Sequence, residues 1–290
     1  MKLLNYHPET GGKALGLVKD DWVYNLTGAA KGDAEFASLG ALLRGGDAAL
    51  ARARELSERL VKDSAQRVPL ADVKHASLVE LDARVFCVGL NYADHAAENN
   101  LAPPTSPIFF AKLAAVVVPH KTGIPIPKSS QQVDYEAEFA LVVGRRADCV
   151  SEDEARACIA GYTIMNDVSA RDFQRNDKQW FRGKNCNGFG PMGPWMVTAD
   201  SVADPLALDI SLRLNGATVQ HSNTRNLVFS PAALVSALSQ SLVLEPGDVI
   251  STGTPAGIGF HRKPQVFLKP GDRMEIEVDG IGILENFMLA

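Results

Sequence analysis

The acids of Asp134-Tyr135-Glu136-Ala137-Glu138 run without a break into Phe139-Ala140-Leu141-Val142-Val143, an apolar stretch. Side chains of a strand alternate between faces, so a strand through this segment sets Asp134, Glu136 and Glu138 on one face, continued by Ala140 and Val142. A strand apolar on both faces is buried on both, which aims the acids inward. There like charges repel, and carboxylates without partners cost on the order of several kcal/mol. A bound cation removes both penalties, and an all-oxygen ligand set suits a hard ion such as Mg²⁺, Mn²⁺ or Ca²⁺. Taken alone, the segment also fits a solvated acidic strand end leading into a core.

Four other segments carry reactive residue types. In Val88-Gly-Leu-Asn-Tyr-Ala-Asp-His95-Ala-Ala-Glu98, helical turns over Ala93–Asn99 place His95 and Glu98 on one face. A carboxylate beside an imidazole raises its basicity and orients it, as a general base requires. An incidental surface pair satisfies the same spacing, and Asp94 competes as the partner. In Gly161-Tyr-Thr-Ile-Met-Asn-Asp167-Val-Ser-Ala-Arg171-Asp-Phe-Gln174, a strand over Tyr162–Met165 delivers Asp167 at its end, able to join Glu136 and Glu138. Arg171 and Gln174 follow at helical spacing and suit a carboxylate-bearing ligand; Asp167 as a plain helix N-cap is the alternative. The Gly- and Pro-rich run from Phe181 to Trp195 reads as a loop held in a fixed path, and its Lys184 is placed to stabilise an enolate or oxyanion unless it is merely solvated. Thr254, in Val249-Ile-Ser-Thr-Gly-Thr254-Pro-Ala-Gly-Ile-Gly259, offers a hydroxyl after a strand; the run lacks the Gly-Lys-Ser/Thr of a P-loop.

The elements that must position these groups divide the chain in two. Residues 1–24 alternate as short strands around a turn at Lys19-Asp20-Asp21, and 35–62 carry helical periodicity interrupted at Gly45-Gly46. We read 1–72 as a small α/β domain, bounded by Val68-Pro69-Leu70-Ala71-Asp72, and 73–290 as the catalytic domain. Ser151 with Glu154 forms a capping box, and Ser230-Pro231 opens a second helix. Leu244-Glu-Pro-Gly-Asp248 and Leu268-Lys-Pro-Gly-Asp272 repeat one turn before a strand, and Asp279-Gly280 predicts a type I′ hairpin. The class is α+β and β-rich. No βαβ rhythm appears, which argues against Rossmann and TIM architectures.

Composition narrows the partners. The net charge of −5 and the lack of a basic run argue against nucleic acid, and no apolar run reaches the length of a membrane span. The first residues lack the apolar core of a signal peptide, and the four cysteines (Cys87, Cys149, Cys158, Cys186) include no CxxC, so a reduced, cytoplasmic protein is expected.

Five segments in this order, GLNYADHAAE, DYEAEFALVVGR, GYTIMNDVSARDFQ, QWFRGKNCNGFGPMGPW and GDVISTGTPAGIG, resemble the fumarylacetoacetate hydrolase family over roughly residues 84–287. The resemblance implies a mixed β-roll, usually homodimeric, with Glu136, Glu138 and Asp167 holding Mg²⁺ or Mn²⁺. It implies a His95–Glu98 dyad on a lid helix, Lys184 near the metal, and Arg171, Gln174 and Thr254 on substrate; Asp134 then stands outside the ligand set. Val88 occupies the place of a fourth metal-binding aspartate, which points to the acylpyruvase-like and 2-hydroxyhepta-2,4-diene-1,7-dioate isomerase-like branch. The expected activity is metal-dependent hydrolysis of a carbon–carbon bond in a 2,4-dioxo acid of the acylpyruvate or fumarylpyruvate type. A 2-oxo diacid (oxaloacetate) decarboxylase or a 2-hydroxydienedioate isomerase would use the same residues. A non-catalytic β-roll that binds a keto acid is the reading from another class, and His95 with Glu98 argues against it, since binding alone needs no base.

Overall fold

A computed structural model describes residues 1–63, 67–98 and 102–289. Its strands form a twelve-stranded mixed sheet, a five-stranded sheet and a two-stranded ribbon among the described residues. The centre of the large sheet is Ala137–Val143, buried at every position. It pairs antiparallel with Ile159–Asn166 on one side and Val249–Ser251 on the other. Alternation along it feeds two cores. Phe139, Leu141 and Val143 pack into one with the helix Pro231–Ser239 and the five-stranded sheet, while Ala140 and Val142 join the other with residues of the first 60 positions. The N-terminal strands extend the same sheet, since Lys2 and Leu3 pair with Val197 and Met196.

Local chemistry accounts for the element ends. Ser151 and Glu154 make both bonds of the capping box, and the Ser230 hydroxyl accepts from Ala233 N–H with Pro231 in the first turn. Gly45 caps the helix Leu39–Arg44, and Gly46 opens the next at φ +64°, so the expected interruption falls there. In the repeated Pro-Gly-Asp turns, the Asp248 and Asp272 carboxylates accept from Glu245 and Lys269 N–H, 2.8 and 2.7 Å away.

Three expectations change. The Phe181–Trp195 run is not one irregular loop: Phe181–Lys184 is a helical turn and Gly190–Thr198 a strand. Pro194 is tolerated because the register with Ile159–Asn166 shifts between Tyr162 and Ile164, a bulge that needs fewer N–H donors, and Pro191 lies beyond Met192, the last residue paired with that strand. The Asp279-Gly280 hairpin is not a two-residue type I′ turn; Val278 pairs with Gly282, and Gly280 alone of the connecting residues has positive φ. The acidic strand is broken at Tyr135-Glu136. Asp134 lies in the short strand Val133–Asp134, paired with Ser169–Ala170 in the ribbon, so it leaves the face shared by Glu136 and Glu138. The Ala93 helix is described to Glu98, and Asn99 lies outside the described residues.

Candidate active site

Sheet register assembles the acids. Ala137 pairs with Asn166, so the residues just beyond, Glu136 and Asp167, meet, and Asp167 N–H donates to the Glu136 carbonyl at 2.9 Å. Glu138 sits one turn of the pleat along, opposite the neighbouring strand that ends at Ser251. Glu136, Glu138 and Asp167 thereby bring one carboxylate oxygen each within 4.8 Å of one another, all three buried. Asp167 is no N-cap: the following helix, Arg171–Asn176, is capped at Ala170 without a side-chain bond.

Cations balance most of this charge. Lys184 Nζ donates to Glu136 Oε2 and Asp167 Oδ2, both at 2.6 Å. Gly183 lets its turn come in, because a Cβ there would stand 2.9 Å from the Ala170 carbonyl. Arg171 turns Nη2 to Glu136 Oε1 (2.6 Å), Nε to Asp134 Oδ2 (2.9 Å) and Nη1 to Gln174 Oε1 (3.2 Å). Burial opposes ionisation of Glu136, yet Arg171 and Lys184 outweigh it and hold its carboxyl far below the usual range. Glu138 has no such partner. It accepts from the Ser251 hydroxyl (2.5 Å) and Gly253 N–H (3.2 Å), and burial, with Asp167 and Glu136 nearby, pushes its carboxyl well up.

Lys112 escaped the sequence reading, although a lone lysine in the apolar run Ile108–Leu113 was its signal. It is buried and donates to the carbonyls of Val168 (3.1 Å), Phe189 (2.8 Å) and Lys184. Those three acceptors use all three ammonium donors. Asp167 Oδ1 thus lies 2.7 Å from Lys112 Nζ as an ion contact and makes no hydrogen bond. Three buried carboxylate oxygens within 4.8 Å of one another, an uncompensated Glu138 and an all-oxygen donor set together fit a hard divalent cation held by Glu136, Glu138 and Asp167.

The same cavity, about 290 Å³, is lined by His95, Lys184, Thr254 and Arg171 as well as the three acids. His95 Nδ1 lies 3.2 Å from Glu98 Oε2, and Glu98 Oε1 accepts from Gly257 N–H at 3.1 Å. Burial raises the Glu98 carboxyl but its bond to His95 and the Gly257 amide more than reverse this, keeping it ionised. Asp94 does not compete; its carboxylate receives His95 N–H, Ser222 and Asn226. Thr254 Oγ1 accepts from Gln220 Nε2 at 2.9 Å, which fixes its hydroxyl at the cavity wall. Trp180 closes another side, admitted by Gly89, where a Cβ would stand 2.8 Å from its ring. Eight of the nine expected site residues line this one cavity, and Glu98 reaches it through His95.

Arg171→Lys tests how far the fork matters. One ammonium cannot span Asp134, Glu136 and Gln174, so turnover should fall by an amount equivalent to about 1.5–3 kcal/mol, the worth of a charged hydrogen bond. Unchanged kinetics, with folding intact by circular dichroism, would remove Arg171 from the working site.

The profile of the family "Fumarylacetoacetate (FAA) hydrolase C-terminal" matches residues 84–288. The chain is 46% identical over 221 residues to "Oxaloacetate tautomerase FAHD2A, mitochondrial" of Bos taurus, covering 76% of this chain and 70% of that protein. Among solved structures, it superposes on a fumarylacetoacetate hydrolase from Exiguobacterium antarcticum with TM-score 0.86 and 32% identity, over 100% of this chain and 99% of that one. It also superposes on a maleylpyruvate hydrolase from Sphingobium sp. SYK-6 in complex with manganese(II) and pyruvate, with TM-score 0.80 and 26% identity over the same shares.

Proposed function

Because this chain belongs to the fumarylacetoacetate hydrolase family, we propose that it is an enzyme of enolate chemistry that interconverts the keto and enol forms of a short 2-oxo diacid of the oxaloacetate class. One observation carries the reading: the His95–Glu98 pair, a proton carrier, lines the same small cavity as Lys184 and the carboxylate cluster, an anion-stabilising wall. The identity to an oxaloacetate tautomerase supports the substrate class.

In the enolising direction His95, oriented by Glu98, takes a proton from C3 of the substrate. The C–H electron pair becomes the C2–C3 double bond, and the carbonyl pair moves to the C2 oxygen. Lys184 has one ammonium donor beyond those given to Glu136 and Asp167, and it stabilises that oxygen as charge develops. A proton then returns to the oxygen, or to C3 for the reverse reaction, and no bond between heavy atoms breaks. A divalent cation, Mg²⁺ or Mn²⁺ before Ca²⁺, would be held by Glu136, Glu138 and Asp167 and would supply Lewis-acid polarisation of the 2-oxo group. Arg171 and Gln174 hold Glu136 in place and Thr254 presents its hydroxyl.

Hydrolysis of acylpyruvates is the second reading. The same dyad is placed to take a proton from water, and a maleylpyruvate hydrolase shares the fold. Decarboxylation of oxaloacetate would need no such base.

The decisive assay follows the enol absorbance of freshly dissolved oxaloacetate in a buffer without phosphate, in parallel with pyruvate release from oxaloacetate and from an acylpyruvate. Acceleration of enol loss without matching pyruvate release is expected. Pyruvate released from the acylpyruvate, with no effect on the enol, would assign hydrolysis instead.

A further inference from the structure

Asp134, the acid that leaves the metal-binding face, has a use of its own. Its carboxylate is fully buried and accepts from Gly259 N–H at 2.8 Å and Phe260 N–H at 3.0 Å. Arg171 holds the other side of it, and Arg171 also grips Glu136. Gly259 makes the approach feasible, since a Cβ there would lie 1.9 Å from the Val266 carbonyl oxygen and 2.6 Å from Asp134 Oδ1. The short turn Gly259–His261 is thus tied to the carboxylate cluster through one rigid chain of bonds, from Glu136 to Arg171 to Asp134 to the turn.

That turn carries His261 into the cavity, half-buried, with its ring edge-on to His95 at 5.9 Å between centroids. The cavity's other cations are differently committed. Arg171 is spent on the buried acids and Lys184 holds two of them with one donor left for the 2-oxo end, whereas Arg175 lies over the Phe260 ring at 5.1 Å and bonds Gln132 at the cavity's exposed rim. A ligand whose 2-oxo acid end faces Lys184 and the carboxylate cluster therefore meets His261 with its far end, and Arg175 adds positive potential on that side.

We propose that His261 is a specificity-determining residue: its imidazole N–H receives the far carboxylate of a dicarboxylic 2-oxo acid, and the Asp134 strut sets the chain length that reaches it. This rests on the 2-oxo diacid reading above and names the group that distinguishes a diacid from a monoacid. Burial lowers the basicity of His261, a carboxylate arriving beside the ring opposes that shift, and the N–H bond it accepts is charge-assisted.

The test uses the full-length Mn²⁺-loaded protein, titrated by calorimetry with pyruvate, which has the 2-oxo acid end alone, and with fresh oxaloacetate, which adds the second carboxylate. His261→Ala should weaken oxaloacetate by about tenfold, the worth of one such bond, and leave pyruvate within about twofold. His261→Gln, which keeps an N–H donor, should recover part of the loss. Equal weakening of both ligands, or of neither, overturns the proposal. So does unchanged binding of both with a lower kcat, which would place His261 with His95 in proton transfer. Failure of the functional reading looks different: wild type would bind oxaloacetate more tightly than pyruvate, and His261→Ala would erase the preference, yet enol loss would not be accelerated.

Discussion

Glu138→Ala is expected to abolish turnover and to weaken Mn²⁺ binding by at least roughly tenfold, because it removes a charged oxygen from the proposed ligand set. Its effect on the metal-free fold should be small by comparison. Glu138 is the one carboxylate of the cluster with no cationic partner among the described residues, and burial with Asp167 and Glu136 nearby pushes its carboxyl well up, so truncation breaks no buried ion pair. Glu136 and Asp167 differ: each is bound by Lys184, and removing either leaves a buried ammonium short of a partner. Glu136→Ala and Asp167→Ala should therefore lose both metal binding and thermal stability, on the order of 3–5 kcal/mol for breaking a buried pair. Thermal melts with and without Mn²⁺ separate the two effects. A Glu138→Ala protein that keeps full activity and the wild-type Mn²⁺-induced shift would end the assignment.

His95→Ala should lower the rate of keto–enol interconversion by about 10²–10⁴-fold, the usual contribution of a positioned acid or base. Mn²⁺ affinity should survive, since His95 is bonded to Glu98 rather than placed in the acidic trio. Glu98→Gln keeps the shape but removes the charge that orients the imidazole, so a smaller loss of the same kind is expected. Rates for enol loss and for pyruvate release from oxaloacetate should part company in His95→Ala, because decarboxylation needs no base. A variant that interconverts the tautomers at the wild-type rate would show that the proton travels by another group.

Much of the site was legible because its signals are local. The change from acid to apolar residues at Glu138–Phe139 reads as a buried strand, and it is buried at every position. Three-residue spacing puts His95 and Glu98 together on one helical turn, and the Ser151–Glu154 box is complete within four residues. The order of five motifs carried the family without any coordinates. What stayed hidden depends on partners far along the chain. Asp134, Glu136 and Glu138 look equivalent by alternation; the family resemblance set Asp134 apart, but the physical cause, the break at Tyr135 and the pairing of Val133–Asp134 with Ser169–Ala170, belongs to the fold. Asp248 and Asp272 end the same turn, yet Asp248 is buried against Arg84 while Asp272 meets Asn215 at the surface. Lys112 neutralises Asp167 from 55 positions away, and His261 reaches the cavity because Asp134 holds its turn from 125 positions away. Caps, turns and alternation are decided between near neighbours, so the sequence by itself determined the elements and the chemical types they bear. Which charge compensates which is decided by sheet register and by the cost of leaving a buried ion alone, and those exist only once the chain has closed on itself.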